Sequence, residues 1–542
     1  SYDMSLLNRI TINARYTRSA NLERDFDSVS SVESYIPTTR SLDTLRRILA
    51  GFDIAEAPRA WSLVGPYGSG KSSFAVFLTH LLADEAYATG AAARRVLARF
   101  DRPLADQCVA LGKGTAGHCC VLLTGSPEPL SARLAIALWH GALEFWRDLR
   151  GRRPAILAKL ESLAHRHQIL SSEIRPIIGQ LQDAVAAAGG NGLLLVIDEL
   201  GKFLEYEARH GANDIYLLQS LAEHAVRHHV APLNIVVLLH QSFEQYAQRL
   251  GEALRNEWSK VHGRFENIPF LEAPEQVLRI VAAACNQNLN PDERALVRQG
   301  AYRAATILLE ERALPAALGL AEATDLLSAC YPLHPVAALL LPPLCQRVAQ
   351  NERTLFSYLG SHEPHGFQET LGRLQRVGDI VSPAEVYDYF IHNQPAASTS
   401  HHTHRRWNEV VTAVERLGDA PPAQIALLKA IGLLNIIGAQ GNLKASPELV
   451  ALCFDGSTGD QPQDLINDLL ARSILQFRRF SNEYRVWAGS DFDLEGELTR
   501  ARAELSQIDL IRTLNHRPPP RPLVARRHSI GTGTLRYFQP VF

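Results

Sequence analysis

The chain has 542 residues, 46% of them hydrophobic and 21% charged, which suits a folded protein of several domains and excludes a disordered or fibrous one. Lysine and arginine number 55 against 57 aspartates and glutamates, so the net charge of −2 exerts no global pull on nucleic acid, and any such contact must come from local patches. No apolar run reaches the roughly eighteen residues of a membrane span, the polar start lacks the apolar stretch of a secretory signal, and seven cysteines with no Cys-x-x-Cys pair suggest reduced thiols in a cytoplasmic setting.

Ser1-Tyr2-Asp3 ahead of Met4 reads as foreign to the natural chain and is set aside. Tyr35-Ile36-Pro37-Thr38-Thr39-Arg40 leads into an amphipathic helix with Leu42, Leu45, Ile48 and Leu49 on one face, and Thr38-Thr39 suits its N-terminus. A short apolar run, Trp61-Ser62-Leu63-Val64, then enters Gly65-Pro66-Tyr67-Gly68-Ser69-Gly70-Lys71-Ser72, which fits G-x-x-x-x-G-K-[ST] at every fixed position. The glycines let backbone N–H groups close round a polyphosphate, Lys71 reaches the β/γ oxygens and Ser72 offers its hydroxyl to Mg²⁺. Ser73 completes the set of nucleotide-contacting positions, and Phe74-Ala75-Val76-Phe77-Leu78 continues as a helix whose N-terminus faces the phosphates.

Val121-Leu122-Leu123 predicts the next strand, and helical patterns over 132–149 and 156–187 form an insertion that Gly189-Gly190-Asn191-Gly192 turns back into the sheet. Leu193-Leu194-Leu195-Val196-Ile197 runs into Asp198-Glu199, as a central parallel strand covered on both faces would. Ligands of open α/β sheets bind beyond the carboxyl ends of the strands, so Asp198 is expected in the Mg²⁺ shell and Glu199 on the attacking water. The competing reading is a buried strand that merely ends in a solvated acidic turn.

This phosphate loop and acid-ended strand resemble those of AAA+ ATPases, and the resemblance implies a sensor strand, an arginine finger and a helical lid further on. Asn234 to Leu239 is the next strand candidate and ends in His240-Gln241-Ser242, where Gln241 is the expected sensor with His240 and Ser242 as alternatives. In Gly263-Arg264-Phe265-Glu266-Asn267-Ile268-Pro269-Phe270, the resemblance makes Arg264 the finger that enters the site of a neighbouring subunit. An ordinary surface pair of Arg264 with Glu266 or Glu257 competes with that role. By the same resemblance the region of Tyr35 and Ile36 borders the adenine, although a plain helix N-terminus explains it equally well. From Pro274 to about Leu359 the chain reads as several short helices broken at Asn290-Pro291 and Tyr331-Pro332, as a lid should. Tyr331-Pro332-Leu333-His334-Pro335, followed by Gln350-Asn351-Glu352-Arg353-Thr354-Leu355-Phe356-Ser357, resembles the large ATPases of bacterial anti-phage systems of the BREX type. Arg353 is the candidate second sensor there, with Arg347 and Arg373 as alternatives.

Residues 393–400 read as a low-complexity linker running into His401-His402-Thr403-His404, which a solvated loop explains better than a metal site. Helical patterns at 425–434, 446–453 and 464–471, then strand patterns at 474–480 and 484–487 around Ser481-Asn482-Glu483, fit a winged helix, which initiator-type AAA+ proteins related to the origin recognition complex also carry after the lid. Its Lys444, Arg472, Arg478, Arg479 and Arg485 are interleaved with Asp464, Asp468 and Glu483, so docking on protein competes with DNA binding. The proline-rich stretch 517–522 leads to the mixed apolar segment 534–542, expected to dock on the body or a neighbour or to begin a further domain.

The expected fold is thus α/β, a P-loop NTPase with an AAA+-like parallel sheet, helical insertion, helical lid and C-terminal winged helix. Its divisions are residues 1–50 bordering the nucleotide, 51–273 the core, 274–392 the lid, 393–405 a linker, 406–510 the winged helix and 511–542 the tail. The expected activity is Mg·ATP hydrolysis by a homo-oligomer with a protein effector, in anti-phage defence by resemblance. A DNA-remodelling motor or loader and a slow signalling switch that assembles on ATP are the alternatives.

Overall fold

The computed structural model describes residues 5–13, 29–54, 59–66, 69–148, 153–210, 214–241, 243, 246, 252–348, 355–392, 401–438, 442–454, 461–487, 499–503, 510–517, 523–534 and 536–538. They fall into two compact units, one drawn from 19–272 with 509–542 and the other from 1–18 with 273–508.

The first unit is built on five parallel strands, β1 (Ala60–Val64), β2 (His118–Thr124), β3 (Gly192–Asp198), β4 (Leu233–Leu239) and β5 (Glu266–Pro269), in the order β2-β3-β4-β1-β5. Around them lie α1 (Thr39–Phe52), α2 (Lys71–Leu82), α3 (Ala88–Phe100), α4 (Arg102–Gly112), α5 (Leu130–Phe145), α6 (Ile156–Ala164), α7 (Ser171–Ala187), α8 (Leu200–His210), α9 (Ile215–His224) and α10 (Glu252–Arg264). Strand side chains alternate between faces, and the two buried clusters divide accordingly. Leu193, Leu195, Ile197, Ile235 and Val237 pack with Leu138 of α5, Leu181 of α7 and Leu218 of α9. Leu194, Val196, Val236 and Leu238 pack on the other face with Ile48 of α1, Leu78 of α2 and Val96 of α3. Both faces are therefore dry, which is why β3 and β4 are unbroken apolar runs.

The insertion differs from the sequence reading. The stretch 156–187 is two helices, because Glu173 accepts the Leu170 N–H at 2.9 Å and starts α7 afresh. The first inserted helix ends at Phe145, and 149–152 lie outside the described residues. Two helices, α3 and α4, precede β2 without having been anticipated. Their buried faces mix small and large residues, Ala92, Ala93, Val96 and Leu97 in α3 and Leu104, Ala105 and Cys108 in α4, so few large apolar residues mark the period.

In the second unit, helices Pro274–Ala284, Pro291–Glu310, Leu320–Ala329, Pro335–Pro343, Leu355–Gly360, Phe367–Arg373 and Pro383–Phe390 are followed by His401–Leu417, Pro422–Ile437, Pro447–Cys453 and Pro462–Ala471. An antiparallel hairpin, Leu475–Arg478 with Glu483–Val486, closes the series, in the order predicted for a winged helix. One apolar cluster runs through both groups of helices, with Tyr358, Tyr387, Trp407 and Leu428 buried in it, and Lys429 pairs with Asp388 at 2.6 Å. The Tyr331–Pro335 motif braces this core. Tyr331 Oη donates to Asp379 O at 2.7 Å and accepts from the Gly378 N–H at 2.7 Å, while His334 Nδ1 accepts from the Val336 N–H at 3.0 Å and His334 Nε2 meets Leu452 O at 3.0 Å.

Ile10–Ile12 pairs antiparallel with Cys285–Gln287 in this unit, whereas 29–54 belong to the sheet unit, so the first fifty residues are shared between the two. His401 to His404 form the first turn of a helix rather than a solvated loop, with Thr403 buried, because Trp407 and Val410 carry that turn into the core. In the tail, the described residues do not dock on the body. Leu523–Val524 pairs with Tyr537–Phe538 across the helix Arg526–Thr532, and all four strand side chains are exposed rather than docked. Its backbone finds its partners locally, so pairing needs no cover from the body. The seven cysteines are free thiols, and burial pushes Cys108 up to about 11 and Cys120 up to about 12. Among the described residues no helix is long and apolar enough to cross a membrane.

Candidate phosphate-binding site

The parallel order brings the ends of three strands together. Val64 lies opposite Leu239 and Ile197 opposite Val237, so β4 stands between the strand that enters the glycine-rich loop and the strand that ends in Asp198. Gly65 leaves β1 with its N–H on Leu239 O at 3.0 Å. A Cβ on Gly65 would lie 2.2 Å from Phe270 O, which no side chain allows. Gly70 caps α2 in the left-handed region, φ 87°, which glycine adopts without penalty. Tyr67 and Gly68 lie outside the described residues.

Lys71 opens α2 and is buried. Its ammonium donates to Gly65 O, to Pro66 O at 2.8 Å and to Ser69 Oγ at 3.2 Å, so it is folded onto the loop that should hold phosphate. Burial pushes it down to about 8, opposed by the nearby carboxylates of Asp198 and Glu199. A polyphosphate would replace these loop acceptors with charged oxygens, and charge-assisted bonds of that kind are the stronger ones. Ser72 and Ser73 follow in the first turn, both partly exposed.

Ser72 Oγ donates to Asp198 Oδ2 at 2.7 Å, and the Glu199 N–H donates to Asp198 Oδ1 at 2.7 Å. Burial raises the Asp198 carboxyl, and the Ser72 hydrogen bond works against that rise. A hydroxyl and a carboxylate are hard oxygen donors of the kind Mg²⁺ selects, so this pair fits the divalent cation that the loop implies. Glu199 takes φ 48°, unusual for a residue with a Cβ, at the turn from β3 into α8. The Gly125 N–H donates to Asp198 O at 2.8 Å, and a Cβ on Gly125 would sit 2.0 Å from Glu199 O. The next strand end thus clamps the Glu199 turn.

At the end of β4 it is His240, more than Gln241, that the structure brings into range. Burial lowers the His240 imidazole, the Lys71 charge lowers it further and Glu199 opposes both. Tyr246 Oη is 2.9 Å from His240 Nδ1. Gln241 is partly buried and makes no hydrogen bond to Lys71, Asp198 or Glu199; Ser242 lies outside the described residues. Arg264 ends α10 and pairs with Glu223 of α9 at 3.0 Å. The pair therefore exists, but not with the expected partners, because Glu257 binds Lys260 and Glu266 binds Arg47. Arg353 lies outside the described residues. Arg373 is exposed at the end of its helix, and Arg347 sits in the turn Leu344–Val348.

Tyr35 packs on Phe77 of α2 at 4.5 Å between ring centroids, and Thr38 caps α1, its Oγ1 accepting from the Ser41 N–H at 3.1 Å. Thr38 Oγ1 also donates to Glu272 Oε1 at 2.5 Å, while the buried Oε2 has no partner. Burial raises Glu272 to about 7, against Thr38 and Arg40. Folding then takes up a proton between about pH 4.5 and 7, so the contribution of this group is greatest below that window and is lost as pH rises through it. Glu272→Gln should raise the unfolding free energy at pH 8 by up to about 3 kcal/mol and change it little near pH 4. Denaturant titrations at the two pH values check this, and an equal effect at both would refute it.

Sequence reasoning missed Lys202, Tyr246, Gly125, Glu223 and Glu272. Lys202 alone carried a local signal, three residues beyond Glu199 on a helix that follows directly.

No family model and no curated protein matches the chain. Among solved structures it is similar to the Aeropyrum pernix ORC2 protein in ADPNP–ADP complexes, at 12% identity over 89% of this chain and 99% of that one, with a TM-score of 0.32. The ADP form of the same protein gives 13% identity, 90% and 99% coverage and a TM-score of 0.29. Likeness at this level carries no functional argument.

Proposed function

We propose that the chain is a P-loop ATPase of the AAA+ type, which binds Mg·ATP on the loop 65–72 and hydrolyses it. The observation that carries this is the Ser72–Asp198 contact beside the buried Lys71 ammonium, which brings two distant stretches of the chain together at the carboxyl ends of the strands. Lys71 and the N-terminus of α2 bind phosphate oxygens, Ser72 and Asp198 hold Mg²⁺, and Glu199 positions water, with His240 or Gln241 beside it. The cation, when bound, neutralises charge that develops on the transferred phosphoryl group. Mg·ATP titration with a turnover assay on Lys71→Ala and Glu199→Gln tests the reading; an unchanged affinity in the first variant would refute it.

Assembly with Arg264 acting between subunits, and a role in anti-phage defence, belong to the same proposal. The defence reading rests on the resemblance of the 331–357 region, and loss of phage resistance from cells carrying Lys71→Ala in the intact system tests it. For the C-terminal helices and hairpin, docking on protein is favoured over DNA. Arg485 Nε donates to Glu483 Oε1 at 3.1 Å, and Arg406 binds Glu409 at 3.0 Å, so several of the basic side chains there are already paired with acids. Duplex binding should be weak, and Arg478→Ala with Arg479→Ala and Arg485→Ala should leave its salt slope nearly unchanged. A slope of about −0.9 per phosphate that flattens in the triple variant would restore the DNA reading.

A further inference from the structure

We infer that Lys202 is a positioning residue that restrains Glu199 and keeps basal turnover low. The inference rests on the ATPase reading, because it concerns the carboxylate assigned there to water. Lys202 Nζ meets Glu199 Oε2 at 2.5 Å, three residues on in the first turn of α8. The Lys202 N–H also donates to Glu199 O at 3.1 Å.

The two contacts act on a turn with little freedom. Glu199 is held at φ 48°, with its N–H on Asp198 and its carbonyl against Gly125. On the α8 side, a Cβ on Gly201 would meet Tyr246 Oη at 2.0 Å, which fixes the start of the helix that carries Lys202. With the backbone fixed, the Glu199 carboxylate answers mainly to its own side-chain partner. An ammonium on one oxygen occupies a lone pair that water would otherwise use, and it draws the group toward α8.

The pair is partly exposed, with side-chain accessibilities of 49% for Lys202 and 33% for Glu199, so its restraint is limited in size. It is released whenever a competing anion takes the lysine or a binding event reorients Glu199. Lys202 therefore acts on the rate of chemistry and not on nucleotide affinity.

Lys202→Met, Lys202→Arg and Glu199→Gln, with the Lys202→Met/Glu199→Gln double variant, test this in the full chain. Lys202→Met should raise kcat about two- to fivefold with KM and Mg·ATP affinity unchanged. Lys202→Arg, which keeps the pair, should stay at the parent rate, and in the double variant the gain should vanish. A fall or no change in kcat for Lys202→Met overturns the restraint, as does a gain that persists without Glu199. If Glu199→Gln itself turns over at the parent rate, the role given to Glu199 in the ATPase reading fails instead, and the single variants separate the two failures. Should the parent show no turnover, activity must appear in Lys202→Met or the restraint is refuted.

Discussion

Glu199→Gln should bind Mg·ATP with parent affinity and lose turnover by roughly two to four orders of magnitude, the usual span for removal of a positioned general base. The amide keeps the size of the side chain and leaves the Glu199 N–H on Asp198, so the cation pair Ser72–Asp198 stays in place. Only the proton-accepting charge is gone. Lys71→Ala should do the reverse, weakening binding roughly thirtyfold or more, because a buried ammonium held by Gly65 O and Pro66 O is aimed into the loop. Equilibrium binding and single-turnover measurements on both variants distinguish the roles. Parent turnover in Glu199→Gln would remove that residue from the chemistry.

Arg264→Ala should lower turnover about a thousandfold or more if the guanidinium completes a neighbour's site. The sheet sets where this arginine can work. Glu266 lies opposite Trp61 and Pro269 opposite Val64, so Arg264 sits before the start of β5, while the phosphate loop leaves the other end of β1. Those register steps alone separate the two edges by roughly 10 Å. Under the proposed assembly, an arginine paired with Glu223 at that opposite edge would serve the site of a neighbouring subunit and not its own. Mixing Arg264→Ala with Glu199→Gln subunits, each inactive alone, should then restore part of the activity, since some interfaces pair an intact arginine with an intact acid. Freely exchanging mixtures that stay inactive, or a protein that remains monomeric with ATP, would exclude the arrangement.

Local sequence sufficed wherever chemistry and periodicity coincide. The glycine-rich loop demands backbone freedom at Gly65 and Gly70, and the fully apolar β3 demands two covered faces before its acids. The three C-terminal helices and the hairpin were legible from apolar spacing, and the buried thiols from the absence of paired cysteines. Each of these is a property of neighbouring residues, which a linear reading contains.

What only the tertiary structure decided involves residues far apart in the chain. Nothing near Arg264 names Glu223, and nothing near Thr38 names Glu272. The break between α6 and α7 is marked by one carboxylate against an otherwise continuous helical pattern, and α3 and α4, which bury few large apolar residues, are settled by packing on the sheet unit. The tail's expected docking on the body is not seen among its described residues, whose short strands pair with one another. The site itself is divided in the same way. By itself the sequence singled out the groups proposed here to bind phosphate and magnesium, because that choice follows from side-chain type and loop composition. Which strand-end residue stands beside Lys71 was decided by the β2-β3-β4-β1-β5 order, because proximity across a parallel sheet depends on crossover connections that no local pattern encodes.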